Sequence, residues 1–245
     1  MSVLKIHDSF AHCGVIARSI TQGKEYDLVS EYLEYRTQRF KETDRSNLAI
    51  FVEPHIHGSY PDILFVEYDP ATFDDWTEER AILTTNDLKL FQSIYSRKQI
   101  TFSYLSKIHS ISNPRTFHAS LDRLEGAQMI ERLEKSVRAS TKIGITRLQA
   151  VEAKLHDMNG VLNQAVRNST FATESLILTQ GVKGPRRVTI EQAASLGIGI
   201  HYVHNNAFAE LLAPRRRPHP LTWKAIQIHE HIGRILHDES RGKDD

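Results

Sequence analysis

The sequence has little of several features that mark specialised classes of protein. It contains one cysteine, Cys13, among 245 residues, which excludes an intrachain disulfide framework and a cysteine-rich zinc site. No apolar run approaches the roughly 20 residues that a membrane-spanning helix needs. Residues 1–8 lack the charged-then-apolar pattern of a signal peptide. We therefore expect a cytoplasmic protein that has no membrane partner.

Motifs of several enzyme classes are also missing. There is no glycine-rich loop that could cradle a nucleotide phosphate and no serine motif of the nucleophile-elbow type. The histidine pairs 55/57 and 229/231 lack the i,i+4 helical spacing of a metalloprotease zinc site. The sequence therefore gives no support to ATP-dependent, serine-hydrolase or zinc-peptidase functions.

What the chain does have is a core-forming composition and an uneven distribution of charge. Hydrophobic residues make up 40% and charged residues 25%, so the chain can bury a core. Residues 1–85 carry eight basic and 15 acidic residues, whereas residues 86–142 carry ten basic and five acidic ones. The basic middle segment is a candidate for binding a polyanion.

The pattern of predicted elements suggests an α/β domain that is interrupted by a helical module. We predict that residues 1–80 form the first part of this α/β domain and that residues 81–142 form the inserted module. Residues 143–245 form the second part, which ends in an amphipathic helix over about 221–237. Residues 69–80 are acidic and contain a proline, and we interpret them as a linker.

Two predicted strands carry the residues best suited to catalysis. Glu152 and Lys154 end an apolar strand, and alternate side chains of a strand share one face, so we expect the two to project together. Asp62 follows Pro61 at the start of an earlier apolar strand, and it can lie beside Glu152 if the strands are neighbours. Such a set can hold a metal ion and act on one water molecule. The alternative is an ordinary same-face ion pair between Glu152 and Lys154.

This arrangement resembles the PD-(D/E)xK nuclease superfamily, which includes resolvase-type and restriction-type nucleases. The similarity covers residues 24–70 and 145–203. It extends to the helix after the Glu-x-Lys motif, where Gln164 and Ala165 match a frequent Q-A pair and Met158 stands where tryptophan is common. The resemblance implies an α/β fold with a restriction-endonuclease-like mixed sheet flanked by helices.

The resemblance also implies roles for individual residues. Asp62 and Glu152 would bind Mg²⁺ or Mn²⁺, Lys154 would act at the attacking water, and Gln164 would support the site. A helical glutamate often reaches the metal in this family, and the phase of Glu25 suits that role better than the phase of Glu31. A first-turn glutamate that interacts with the helix dipole explains Glu25 equally well.

Glu53 is a further candidate catalytic residue. It ends the strand that precedes Asp62, so it can flank that carboxylate.

The inserted segment resembles a winged helix-turn-helix domain. Residues 113–124 would form the recognition helix, which begins with Asn113 and Pro114, and Met129 would begin the wing. The glycine that usually lies between helix and wing falls at Gln128 here. A module that mediates dimerisation or packs on the nuclease-like domain is the alternative.

The module offers two kinds of contact to DNA. Polar residues near the start of a recognition helix read bases in the major groove, and basic residues around it bind phosphates. The candidate DNA-binding residues are Lys107, Asn113, Arg115, Thr116, His118, Arg123, Arg132 and Lys135.

Together these features predict a Mg²⁺- or Mn²⁺-dependent DNA endonuclease whose winged helix positions the substrate. The alternative is a non-catalytic DNA-binding regulator that retains a nuclease-like fold. Because one metal site per chain normally cuts one strand, we also expect a homodimer, or dimerisation on DNA.

Overall fold

The computed structural model describes residues 4–6, 14–18, 22–109, 114–181, 184–205, 207–218 and 222–241. The strands are β1 (Leu4–Ile6), β2 (Asn47–Val52), β3 (Ile63–Tyr68), β4 (Gln99–Thr101), β5 (Ile130–Arg132), β6 (Ser136–Ala139), β7 (Ile145–Ala153), β8 (Glu174–Gln180), β9 (Gly199–His204) and β10 (Ala207–Leu212). The helices are α1 (Lys24–Arg39), α2 (Thr85–Tyr95), α3 (Phe102–Ile108), α4 (Pro114–Gly126), α5 (Met158–Asn168), α6 (Arg187–Leu196) and α7 (Trp223–Arg241).

The chain folds into two compact units. Residues 1–69 and 145–220 form the first, which we call the sheet unit, and residues 70–144 and 221–245 form the second, which we call the helical unit. No helix in the described part of the chain is both long and apolar enough to cross a membrane.

The sheet unit is built on a seven-stranded mixed sheet of order β1-β2-β3-β7-β8-β9-β10. β7, β8 and β9 run parallel, β3 is antiparallel to both β2 and β7, and β10 is antiparallel to β9. Both faces of the central strands are largely buried, and the buried residues include the polar side chains of Gln149, Glu152 and Glu174. The predicted α/β class, with a mixed sheet flanked by helices, is confirmed.

The alternation of side chains along β8 shows how the helices cover the two faces. Leu176 and Leu178 pack in one cluster with Leu28 and Val29 of α1. Ile177 packs in another cluster with residues of α5 and α6. Because neighbouring side chains of a strand point to opposite faces, α1 covers one face of the sheet and the pair α5/α6 covers the other.

A network of polar side chains fixes α1 on its face of the sheet. The Tyr32 hydroxyl lies 2.6 Å from His201 Nδ1 and accepts a hydrogen bond from Arg36. Arg36 also donates to Gln149 Oε1 across 2.5 Å, and Gln149 donates to Glu174 across 2.7 Å. Since buried polar groups are costly unless they are paired, these bonds define one position of α1 and hence of its first turn.

The helical unit contains a small three-stranded antiparallel sheet of order β4-β6-β5. Its core combines apolar residues of α2, α3 and α4 with Ile226 of α7. α2 begins with a capping box in which Thr84 and Asp87 exchange hydrogen bonds, which satisfies amides at the start of the helix.

The boundary between the units differs from the expected one. Residues 70–80 are not a bare linker, because they form two 3₁₀ turns in which Phe73 and Trp76 are buried. The Trp76 indole donates to Glu230 of α7 across 2.9 Å, and Arg80 lies 3.7 Å from the same carboxylate. This buried pairing groups the C-terminal helix with the helical unit, whereas we expected it in the nuclease-like domain.

Candidate functional site

The six candidate catalytic residues line a single cavity of about 350 Å³ in the sheet unit. The cavity lies at one end of the sheet, where β2 and β7 end and β3 begins. The six residues come from α1, from the ends of three strands and from α5, and they are Glu25, Glu53, Asp62, Glu152, Lys154 and Gln164.

Asp62 and Glu152 are neighbours because their strands are paired. β3 and β7 are antiparallel with Ile63 opposite Val151, so Asp62 precedes β3 beside the last residues of β7. Asp62 Oδ2 accepts a hydrogen bond from the backbone amide of Ala153 across 2.6 Å. The two strands are neighbours, which is the condition for Asp62 to lie beside Glu152.

The electrostatics of this carboxylate pair are unfavourable for two negative charges. Burial and, to a smaller extent, the neighbouring charge of Asp62 together raise the pKa of Glu152 to about 8. Burial likewise raises the pKa of Asp62 to about 7, with a contribution from the charge of Glu53. Two carboxylates that are costly to ionise side by side form a place where a cation is favoured.

Lys154 is held by Glu25 at the rim of the cavity. Its Nζ lies 2.7 Å from Glu25 Oε2, and this hydrogen bond raises the pKa of Lys154. Glu152 instead accepts a hydrogen bond from Asn168 of α5. The two side chains therefore contact helices on opposite faces, which differs from our expectation that they project together. The reason is that β7 ends at Ala153, so the strand alternation does not extend to Lys154.

The structure distinguishes the two helical glutamates. Glu25 lines the cavity, and Glu31 is exposed and is not part of its lining. Glu25 also contacts Lys154 directly. The sequence placed Glu25 in the first turn of α1 but did not predict this contact.

Glu53 has an unusual backbone conformation. Its φ of 51° lies in the left-handed region, which costs energy for a residue with a Cβ atom. Its amide donates to the Asp62 carbonyl oxygen, and its Oε2 lies 2.6 Å from Nη2 of Arg18. Strain of this kind is commonly retained where it serves a site.

Sequence reasoning missed two residues of this site. Arg18 lines the cavity and pairs with Glu53, but it lies in a short segment without a motif or a predicted element. Asn168 contacts Glu152 and is only 1% exposed. Asn168 follows Gln164 by four residues on α5, so the helical i,i+4 rule could have nominated it.

The donor set is compatible with a magnesium-type ion. Among the described residues, no group of three or more histidine, cysteine, aspartate or glutamate side chains is arranged to hold a metal ion. Mg²⁺ is usually held by one or two carboxylates, and water and substrate phosphates complete its coordination. The Asp62–Glu152 pair offers that minimal set of hard oxygen ligands, in a cavity where burial disfavours the charged form of both side chains.

The candidate DNA-binding residues in the helical unit fall into two groups. Arg115, Thr116 and His118 are exposed on the first turns of α4. Lys107 at the end of α3 and Lys135 between β5 and β6 are also exposed. These five are positioned on the surface as a DNA-binding role requires, and Asn113 lies outside the described residues.

Arg123 and Arg132 are engaged within the helical unit. Arg123 makes a two-pronged contact with Asp87, at 2.8 and 2.9 Å, and the Asp87 side chain is fully buried. Arg132 lies 2.5 Å from Asp122 and 3.0 Å from Glu125. Both arginines therefore form ion pairs with acids of their own unit. The basic character of the segment did not predict these pairs.

Comparisons with protein-family models, curated proteins and solved structures give no match to this chain.

Proposed function

We propose that this chain is a metal-dependent DNA endonuclease of the PD-(D/E)xK type. One observation carries the proposal: Asp62, Glu152 and Lys154, chosen from the sequence, line one cavity together with Glu25 and Gln164. Asp62 and Lys154 are separated by 92 positions along the chain, so their meeting is a property of the fold. Asp62 and Glu152 would hold Mg²⁺ or Mn²⁺, which when bound would polarise a phosphate and favour ionisation of a water.

The chain's own residues supply the remaining functions. The Lys154 ammonium group carries a positive charge at the cavity, where it can orient an attacking water and stabilise charge that develops on a phosphate. Glu25 holds that group and favours its protonated state. The Gln164 amide offers a neutral donor and acceptor on the same wall.

We further propose that the helical unit is a winged helix-turn-helix domain that positions DNA. The order α2-β4-α3-α4-β5-β6, with a three-stranded antiparallel sheet, supports this proposal. Gln128 adopts a φ of 56° between α4 and β5, the left-handed conformation that suits the glycine usual at this turn. The exposed side chains at the start of α4 would face DNA, and Lys107 and Lys135 would contact its phosphates.

The test is cleavage of supercoiled plasmid by the purified chain with Mg²⁺ or Mn²⁺, with an EDTA reaction as control. Glu152→Gln keeps the shape of the side chain but removes its charge, and it should abolish nicking. Glu31→Gln makes the same change at an exposed position of α1 outside the cavity and should leave nicking intact. DNA binding without metal-dependent nicking would favour the non-catalytic regulator instead.

We also propose that the chain acts as a homodimer, or dimerises on DNA, because a duplex break needs two scissions. Sedimentation velocity on the chain with a duplex in EDTA should show two chains for each duplex. Double-strand cleavage by a chain that remains strictly monomeric on DNA would contradict this expectation.

A further inference from the structure

The hairpin that joins β2 to β3 lies beside the candidate active site and has a well-defined turn. Ile56 and Ser59 exchange two backbone hydrogen bonds, of 2.8 and 3.1 Å. Between them, His57 and Gly58 have φ values of 39° and 84°, which are typical of the tight turns that match the twist of a hairpin. The Gly58 amide donates to Nε2 of His55 across 3.3 Å, so the ring of His55 is held against the turn.

Three rings of this hairpin and one arginine lie in mutual contact. The rings of His55 and Tyr60 are nearly parallel, with 4.7 Å between their centres and 21° between their planes. The ring of His57 lies 6.3 Å from that of His55, and the guanidinium carbon of Arg18 lies 5.4 Å from the centre of the Tyr60 ring. These separations are those of favourable aromatic and cation–π contacts. We call Arg18, His55, His57 and Tyr60 the stacking platform.

The segment that precedes α1 fixes Arg18 in the platform. The backbone amide of Arg18 donates to the carbonyl oxygen of Glu53 across 2.9 Å, and the amide of His55 donates to that of Ile16 across 2.8 Å. The Arg18 side chain also pairs with the Glu53 carboxylate. Because these bonds hold the platform in place beforehand, a ligand that binds it orders few side chains and loses little affinity to their entropy.

The platform is ordered but remains accessible to solvent. Tyr60 is 40% exposed, and the Arg18 side chain is 56% exposed despite its ion pair. His57 is exposed as well. A group of exposed rings commonly marks an interaction site. Aromatic rings and guanidinium groups present flat faces, and the flat face of a nucleobase stacks on both.

The platform begins at the edge of the candidate active site. Arg18 lines the cavity, and Tyr60 precedes Asp62 by two residues. No member of the platform is acidic, and Arg18 is positively charged, which suits a ligand that carries phosphates. A nucleotide next to a phosphate in the cavity therefore has its base beside the platform.

Stacking on a protein requires a base whose faces are accessible. In a continuous duplex the neighbouring base pairs cover both faces of each base, and removing a base from the stack costs free energy. That cost is lowest for a base that is already unpaired.

We infer that the stacking platform binds the base of an unpaired nucleotide next to the phosphate that is cleaved. The preferred substrate is thus a duplex interrupted by an unpaired nucleotide rather than a continuous duplex. Stacking tolerates any base, because every base has a flat face. This inference rests on the nuclease function proposed above.

The test measures binding to the full chain in EDTA, so that no cleavage contributes. The probes are two fluorescein-labelled duplexes of the same sequence, one of which carries a single unpaired thymidine at its centre, and anisotropy gives the Kd of each. The chain should bind the interrupted duplex about tenfold more tightly than the continuous one, since one base stacks on the platform. Tyr60→Ala should remove this preference by weakening binding to the interrupted duplex alone, whereas Tyr60→Phe keeps the ring and should retain it.

A matched control exists in the helical unit. Tyr104 is 48% exposed, and the guanidinium carbon of Arg97 lies 5.7 Å from the centre of its ring. Tyr104→Ala therefore removes a similar exposed ring away from the candidate active site, and the ratio of the two Kd values should not change. If Tyr60→Ala fails to fold, Tyr60→Leu keeps an apolar side chain without a flat ring, and its comparison with Tyr60→Phe decides the question.

Equal Kd values of the wild-type chain for the two duplexes would overturn the inference. A preference that survives both Tyr60→Ala and Tyr60→Leu would also overturn it, because the chain would then recognise the bend of the interrupted duplex rather than the base. The nuclease proposal fails separately. A chain that prefers the interrupted duplex through Tyr60 but nicks no plasmid refutes cleavage, whereas nicking without this preference refutes the platform alone.

Discussion

Asn168 donates a hydrogen bond from its side-chain amide to Oε1 of Glu152 across 2.6 Å. Both residues are almost completely buried, at 1% and 3% exposure. This bond is the main described interaction that favours the ionised form of Glu152, and it works against the larger effect of burial. Asn168 is thus a positioning residue, because it acts on the site through Glu152.

Asn168→Leu should therefore affect both stability and the site. Loss of a buried hydrogen bond to a carboxylate should lower the free energy of unfolding by about 1.5–3 kcal/mol, as measured by urea titration. The pKa of Glu152 should rise further, so the pH at which nicking reaches half its maximum should move upward. Asn168→Asp, which adds another acid beside Glu152, should move it further still. An unchanged pH profile in both variants would refute the positioning role.

The raised carboxyl pKa values predict how stability depends on pH without metal. Asp62 and Glu152 have folded-state pKa values of about 7 and about 8, above the ordinary values of about 4 for free carboxyl groups. Their neutral forms therefore contribute stability that is fully present below about pH 4 and is lost as the pH rises through about 7 to 8. Thermal melts in EDTA should show this decline.

The decline should be smaller in Asp62→Asn and Glu152→Gln, because these side chains cannot ionise. The parent chain and the variants contain the same 13 histidines, which also titrate in this range. The difference between their melting temperatures at each pH therefore reports on Asp62 and Glu152 alone. Added Mg²⁺ should raise the melting temperature of the parent chain more at pH 8 than at pH 6, since the ion binds the ionised pair. Parallel melting curves for parent and variants would count against this account.

Lys154→Ala should separate cleavage from metal binding. The change removes the ammonium group that we propose stabilises charge on the reacting phosphate. The rate of plasmid nicking should therefore fall about 10²- to 10³-fold. Metal affinity, measured by calorimetry, should be unchanged or slightly higher because a like charge near the cation is lost. Asp62→Ala and Glu152→Ala should instead lose metal affinity and cleavage together. Lys142→Ala, an exposed lysine outside the cavity, is the control, and full nicking by Lys154→Ala would contradict the proposed role.

Basic residues of the helical unit should divide into two classes. Lys107→Gln and Lys135→Gln should leave stability within about 0.5 kcal/mol of the parent chain. Each should weaken binding to all duplexes and reduce the salt dependence by about one unit of slope. Anisotropy titrations at several salt concentrations measure both quantities.

Arg123→Gln should behave differently, because it leaves the buried Asp87 carboxylate without its main partner. We expect a loss of about 1.5–3 kcal/mol in the free energy of unfolding. Wild-type stability in Arg123→Gln, or a loss of stability in Lys135→Gln, would contradict this division into exposed DNA-contacting residues and residues that stabilise the helical unit.

The sequence could predict the features that arise from local patterns. Apolar strands with polar residues at their ends predicted the α/β class, and the motif spacing nominated Asp62, Glu152 and Lys154. The α/β class is confirmed because the period of a strand depends on only a few neighbouring residues, and the same locality allows a residue to be assigned to the end of a strand. The linker interpretation of residues 69–80 failed because proline and acidic residues are equally compatible with 3₁₀ turns whose aromatic side chains are buried.

Only the tertiary structure decided which side chains meet. Glu25 contacts Lys154 across 129 positions, and Arg18 contacts Glu53 across 35, and neither pair leaves a periodic signal in the sequence. The same holds for Trp76 and Glu230, whose hydrogen bond groups the C-terminal helix with the helical unit. Such contacts depend on how strands pair and on which face each helix covers. Local spacing determined which residues could serve the site, and long-range packing determined their partners and charges.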